Sequence, residues 1–444
     1  MLPQLIRKEL LTHLLSLRFL ITLLLQVGAI LACFIVMAGQ FGESVAQYRA
    51  NVTAARTANE FGDETVDHFD YEHVHKRGNY AARLPHPLSW LVRGLEGAVP
   101  RQVHVSDERS QRHVDRALYR NPIKEQISPP DFLYLTRMLL SLLAVLFAFD
   151  TVCGERKDGT LKQTLAGAVP RHLWLMGKWI GGMATLSIGF LLGSLIGLLY
   201  LVLQGLPGLS EQQLATFALT LIVALLYMSL FYTLGMWIST LVRQASTSVV
   251  VSLLVWALVT LVLPGLVVEF GKVLSPSPAR AAVIVNRNSV EKGIRVAIRK
   301  SNNELREDRA ERTAKASALR ADRVRRLEEL EDGYWRGVFV QAETVKTLAR
   351  VVPSGCLTHA LTGLAGTDVP FVSEFQAAYK RTISAYAASL RSPQPNTISP
   401  TLDISHRDLW ERLNGVVLDI GLLAIYLIVL FAATYIGFLR YDVR

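Results

Sequence analysis

Six apolar stretches constrain this 444-residue chain more than any other feature: 19–37, 132–152, 179–203, 214–241, 246–270 and 415–439. Each is long enough to cross a hydrocarbon core of about 30 Å as a helix, an arrangement in which every backbone N–H and C=O finds its partner inside the segment. Apolar residues make up 51% of the chain and charged residues 19%, and the charges crowd between the stretches. A water-soluble fold does not segregate them so cleanly. The expected fold is an all-α polytopic membrane protein with six transmembrane helices.

Charge placement sets the orientation. Arg7, Lys8 and Arg18 precede the first span, Arg156, Lys157, Lys162, Arg171 and Lys178 lie between the second and third, Arg243 separates the fourth and fifth, and Arg440 and Arg444 follow the sixth. All of these fall on one side of a six-span zigzag, which the positive-inside rule makes cytoplasmic, both termini included. The net charge of +10 is largely accounted for in this way, without a nucleic-acid partner. Two long segments, 38–131 and 271–414, then lie outside, where their arginines do not contradict the rule because long translocated segments escape it. Cys33 and Cys153 fall within or at the ends of spans, so Cys356 alone lies outside and no disulfide framework is expected. The first apolar run lacks a small-residue cleavage site and reads as a span rather than a cleaved leader.

Residues 1–18 read as a cytoplasmic amphipathic helix, with Leu5, Ile6, Leu10, Leu14 and Leu17 on one side and Arg7, Lys8, Glu9 and His13 mostly elsewhere. After the first span (19–37), the external segment 38–131 is expected to form a small lobe, helical over 45–59 and extended around Pro85 and Pro87. The second span (132–153) leads into a cytoplasmic loop, 154–178, before the third to fifth spans (179–270). In the external segment 271–414, residues 289–332 contain no proline and one glycine, Gly293, which predicts a long charged helix or a helical hairpin. Ile298, Leu305 and Leu319 share a heptad register that Arg312 and Arg326 interrupt, so a coiled-coil seam is not expected. The sixth span (415–439) precedes a short tail, 440–444. The external domain built from the two long segments should be mainly helical.

The loop 154–178 is polar, basic and held between two spans, so a soluble partner pushing on it would move both. Gly177, Gly181, Gly189, Gly193 and Gly197 recur at four- or eight-residue intervals on the third span, a spacing that lets helices approach closely in lipid. Ionisable groups read inside spans are Asp150, Glu269 and Asp419, all near span ends, which disfavours a proton-driven carrier. His68, Asp70, Glu72, His73 and His75 include a His-x-His pair, but solvated side chains are the commoner outcome and no metal site is assigned. No Gly-x-x-x-x-Gly-Lys-Ser/Thr phosphate loop occurs, and Trp179 follows Gly177-Lys178 where a hydroxyl would be needed. No nucleophile stands with a base, so the chain is not read as an enzyme.

The order Glu155, Arg156, Gly159, Thr160, Leu161, then Pro170 and Arg171, resembles the permease subunits of type-2 ABC exporters, in which such a sequence opens the loop carrying the ATPase-coupling helix. Ile6-Arg7-Lys8-Glu9-Leu10 is similar to that family's elbow helix. The large external segments, with Leu84-Pro85-His86-Pro87-Leu88-Ser89, Phe147-Ala148-Phe149-Asp150 and Leu364-Ala365-Gly366-Thr367-Asp368, look like a subgroup related to permeases of gliding motility and nitrous-oxide-reductase maturation. The resemblance implies a multi-pass subunit of a bacterial inner membrane that has no cofactor of its own. ATP and magnesium would sit on separate ABC ATPase subunits. A second permease copy or a paralogue, membrane lipid, and a periplasmic or outer partner complete the expected set. The rival expectation is a non-transporting scaffold or receptor whose external helices bind a partner.

Overall fold

The computed structural model describes residues 2–60, 79–105, 130–161, 163, 170–205, 210–304, 309–389 and 401–440. The His68–His75 group lies outside the described residues. Six described helices are long and apolar enough to cross a membrane. The chain divides into two compact units, Met1–Pro264 with Arg350–Arg444, and Gly265–Ala349.

The first unit holds most of the bundle. Helix α1 (Leu2–Leu14) is followed by α2 (Leu17–Glu60), a single helix of 44 residues. At 1.5 Å per residue α2 runs about 66 Å, twice a hydrocarbon core, so its second half continues past the span. No proline interrupts 38–60, so the helix expected over 45–59 forms as an extension of the first span. The second span, α3, comprises Phe132–Leu135, a π-helical turn Thr136–Leu140 and Ser141–Ala148. It breaks at Phe149–Val152 and resumes as α4 (Cys153–Lys157). The freed backbone groups are met from neighbouring spans: the Val152 and Cys153 N–H groups donate to Ser239 Oγ at 3.0 Å, and Ser248 Oγ donates to the Phe149 carbonyl at 2.5 Å. In lipid such a break survives only with partners of this kind.

Helix α5 (Arg171–Leu203) and α6 (Glu211–Leu241) are the third and fourth spans, and α7 runs as Ala245–Ala257, a π-helical turn Leu258–Val262 and Leu263–Leu274. The sixth span is α12 (Leu409–Leu439). The second unit contains α8 (Arg280–Glu304) and α9 (Arg309–Ala349), which pack together as an antiparallel hairpin rather than one continuous rod. Ile294, Ser301 and Ala316 are buried on it. Near its base, Gly337 meets the Pro278 ring, and Gln341 donates to the Ser275 carbonyl at 2.8 Å.

Between the hairpin and α12 in sequence the chain forms α10 (Pro353–Ala365). Proline opens it and Gly366 closes it at φ 73°, a left-handed conformation suited to glycine. Cys356, Leu357, Ala360, Leu361, Leu364 and Ala365 are fully buried, and α10 packs against α6 and α12. Its entrance is pinned among the spans: Arg350 donates twice to Asp419, at 2.8 and 3.1 Å, Tyr426 Oη donates to the Arg350 carbonyl, and Ser354 Oγ reaches the Val259 carbonyl in the π-turn of α7. Because α12 begins at Leu409, Asp419 sits about 15 Å along the helix, fully buried, where an unpaired carboxylate would be costly.

A small lobe joins strands β1 (Asn79–Arg83), β2 (Gln102–Val105) and β3 (Thr401–Leu402) with α11 (Val369–Ser389). The sheet order is β2-β1-β3, with β1 antiparallel to β2 (Ala81 opposite Val103) and parallel to β3 (Ala82 opposite Thr401). Ala81, Val99, Val103, Phe371, Phe375 and Leu402 form its core.

Candidate functional site

The loop that follows the second span is anchored before it reaches solvent. Lys178 on α5, 6% exposed, extends its Nζ to Glu9 of α1 at 2.9 Å and to Glu155 of α4 at 2.6 Å. Three segments far apart in sequence thus share one buried cation. Trp174 places its ring 5.3 Å from the same Nζ, and His13 sits 3.8 Å from Glu9. Burial pushes the His13 pKa below its ordinary value, against the pull of Glu9. The hub carries two carboxylates on one lysine, and Glu155 Oε2 is buried with no hydrogen bond among the described residues.

The helices come this close because α5 presents glycines to them. A Cβ on Gly177 would stand 3.0 Å from Leu5, and on Gly181 2.7 Å from Glu9, so these two positions seat α1. A Cβ on Gly189 would meet Gln26 at 2.3 Å, on Gly193 the Val27 backbone at 3.1 Å, and on Gly197 the Phe34 ring at 2.7 Å, so the other three seat α2. Gly182, not singled out in the sequence, leaves room for Tyr232, whose hydroxyl donates to the Lys178 carbonyl at 3.4 Å. One glycine row therefore docks both α1 and α2.

The remaining loop residues divide by direction. Arg156 is half-buried and donates to the Thr240 carbonyl at 3.4 Å, and Leu161 is fully buried. Gly159 turns the chain at φ 74°, a left-handed backbone that any side chain would strain. Lys157, Asp158, Thr160 and Gln163 are exposed; Thr160 Oγ1 donates to the Glu155 carbonyl at 3.3 Å. Residues 162 and 164–169 lie outside the described residues. Pro170 then caps α5, Arg171 donates to the Leu439 carbonyl of α12 at 3.1 Å, and Trp174 stacks on Phe438 at 4.8 Å. Arg7 and Lys8 are exposed on α1, whereas Glu9 turns inward. Beside the loop, Arg18 donates to both oxygens of Asp150 at 2.8 Å.

At the opposite end of the bundle, two phrases noted in the sequence meet across some 280 residues. The 84–89 stretch and the 364–368 stretch pack together: the His86 Nε2 would lie 3.0 Å from a Cβ on Gly366, Thr367 Oγ1 donates to the Val92 carbonyl at 3.2 Å, and the Leu95 N–H donates to the Thr367 carbonyl at 2.8 Å. His86 faces His406 at 4.8 Å and Phe371 at 5.6 Å, and its Nδ1 accepts from the Leu88 N–H. Burial, then the neighbouring His406 and the Arg412, Arg83 and Arg407 guanidiniums, drives the His86 pKa well down. Arg83 is buried against Glu96 at 2.8 Å, and Arg407 bridges Asp368 and Glu374.

Sequence reasoning passed over Lys178 as an anchor, Arg350 as the partner of Asp419, and Arg137 inside the second span, whose Nε is buried without a partner among the described residues. Only one of these left a local signal: Arg137 stands five residues into an apolar run. No group of three or more metal-ligating side chains gathers among the described residues.

No curated protein matches the chain. The family model described as ABC-2 family transporter protein matches residues 4–306, more than half of the chain, taking in α1, the first five spans and the loop 154–178. The chain is a multi-pass membrane protein that belongs to the ABC-2 family of transporter proteins.

Proposed function

We propose that this chain is the permease subunit of an ATP-driven exporter, moved by separate nucleotide-binding subunits that dock on the cytoplasmic loop 154–178. Family membership supports the kind of partner. The observation that carries the mechanical reading is the Lys178 hub, because it ties the loop (Glu155), the elbow helix (Glu9) and the third span into one body. In this reading Glu155 and Arg156 hold the lever, while the exposed Lys157, Asp158, Thr160 and Gln163 meet the ATPase. ATP-driven closure of two ATPases pulls on the loop, and the third and sixth spans follow together through Arg171 and the Trp174–Phe438 stack. Six spans make half a pathway, and twofold pairing with a second copy completes it. The termini are cytoplasmic, and the lobe and hairpin work outside, either guiding cargo away or passing force to an external partner.

The test is reconstitution of the chain with its ATPase in proteoliposomes. Lys157→Glu and Thr160→Trp, both at exposed positions, should leave the permease folded yet cut permease-dependent ATPase stimulation by roughly tenfold or more. Unchanged stimulation in both would contradict this docking site, and failure of any ATPase to bind would favour the scaffold reading.

A further inference from the structure

At the lobe end of the bundle, two adjoining cavities share Val45 and Arg49 of α2. The larger, about 670 Å³, is walled by Phe41, Trp90, Leu198, Leu201 and Leu214 together with Leu84, Pro85 and Pro87 of the lobe. That volume falls within the roughly 300–1,000 Å³ typical of pockets that hold small molecules. The second, about 370 Å³, is more polar and lined by Gly39, Gly42, Ala46, Tyr200 and Gln204. Gly39 and Gly42 have no atom near the place a Cβ would take, so this face of α2 is open.

Three features specify the occupant. The large cavity is apolar and its rim residues Leu84, Val202 and Leu214 are exposed at 47, 56 and 42%, so it opens sideways rather than into the bundle. It sits where α5 ends and α6 begins, with Tyr48, Trp90 and Tyr200 around it, the level at which aromatic side chains meet lipid headgroups. Arg49 stands between the apolar and the polar cavity, and among the described residues no acidic side chain lines either cavity and no carboxylate pairs with it. The alternation at 84–87 serves this arrangement, since Leu84, Pro85 and Pro87 face the cavity while His86 turns into the lobe.

We propose that this is a binding site for an anionic phospholipid of the leaflet at that end, with one acyl chain in the apolar cavity and its phosphate at Arg49. The chain supplies apolar burial for the tail and a charge-assisted donor for the headgroup, which a zwitterionic lipid compensates in part with its own cation. The 84–87 stretch of the lobe and α2 are thereby joined through a lipid, independently of how the loop end works.

The experiment uses the full chain in nanodiscs made with phosphatidylglycerol or phosphatidylcholine carrying a photoreactive diazirine on the acyl chain, with adducts mapped by peptide mass spectrometry. Adducts should concentrate on residues 84–90 and on Leu198, Leu201 and Val202, exceed those on the exposed surface at Leu195 and Leu199, and favour phosphatidylglycerol. Leu201→Trp and Leu214→Trp, which fill the cavity from different walls, should each remove these adducts while labelling at Leu195 persists. Arg49→Gln should reduce the phosphatidylglycerol preference by about tenfold, the scale of one charged hydrogen bond. Uniform labelling along the helices, or adducts unchanged in both tryptophan variants, would overturn the site. Equal labelling by the two lipids in the unaltered chain would overturn the headgroup assignment, and protection of the cavity by a co-purifying peptide would overturn the lipid.

Discussion

The two ends of the bundle both bury charge, but they do it differently. At the lobe end Arg83 and Glu96 form a one-to-one pair, 2 and 3% exposed, and the guanidinium also approaches the carbonyls of Leu84, Pro100 and Val99. At the loop end one lysine serves two carboxylates from two other segments, one of them 22% exposed and with an oxygen that has no partner among the described residues. A fully satisfied local pair fixes a shape within one segment, whereas a cation shared between segments makes them move together when one is pulled. The difference assigns rigidity to the lobe and movement to the loop.

The largest effect should come from Arg83→Met, which strands Glu96 in the lobe. A loss of about 3–5 kcal/mol is expected there, read as early proteolysis of the lobe with the span bundle still protected. If instead the whole bundle unfolded with the lobe, the two ends would not be separable. Lys178→Met leaves Glu9 and Glu155 facing each other without a cation; a cost near 3 kcal/mol follows, and the double variant Lys178→Met/Glu9→Gln should recover part of it in thermal melts. Failure to recover would mean that the lysine acts by packing on Trp174 rather than by charge.

Gly193→Leu pushes α5 off the α2 backbone and should cost about 2 kcal/mol by overpacking, whereas Gly265→Leu, where a Cβ meets nothing, should be close to neutral. The pH response sharpens the contrast further. The folded pKa values of His86 and His406 are lowered by burial from 6.5, so the unfolded lobe binds more protons than the folded one below that value. Lobe stability should therefore decline as pH falls from about 6.5, as followed by hydrogen exchange of β1 and α11, and a His86→Gln variant should flatten the decline. A flat profile in the unaltered chain would contradict the burial of neutral His86. The smallest effect is expected at Arg18→Gln: the Arg18–Asp150 pair is 49 and 26% exposed on its two sides, and roughly 0.5 kcal/mol is at stake.

The six spans were legible because hydropathy is a local property, and the helical character of 289–332 because that stretch lacks breakers, whereas its division into α8 and α9 left no proline or glycine to mark it. Helix ends were not: α2 runs on to Glu60 and α12 starts at Leu409 because charged helical turns continue a span without an apolar signal. Helix α10 was hidden by its own caps, since Pro353 and Gly366 look like loop residues, although Cys356, Leu357, Ala360, Leu361, Leu364 and Ala365 carry a helical period. At the loop, Glu155 and Arg156 could be picked out, but their direction could not. The partner that turns Glu155 inward is Lys178, and the second carboxylate on that lysine lies 169 residues before it. Pairings of that range are set by how glycines let helices meet, and spacing alone does not reveal them.

The central claim is that an ATPase moves this chain through its loop, held from within by the Lys178 hub. All three cysteines are buried, so a thiol introduced as Gln163→Cys is an exposed probe on an otherwise quiet background. In intact cells, a thiol-directed photo-crosslinker at Gln163→Cys should capture an ATPase subunit while the site stays protected from a membrane-impermeant maleimide. Labelling by the impermeant reagent from outside, with no ATPase adduct, would contradict the account.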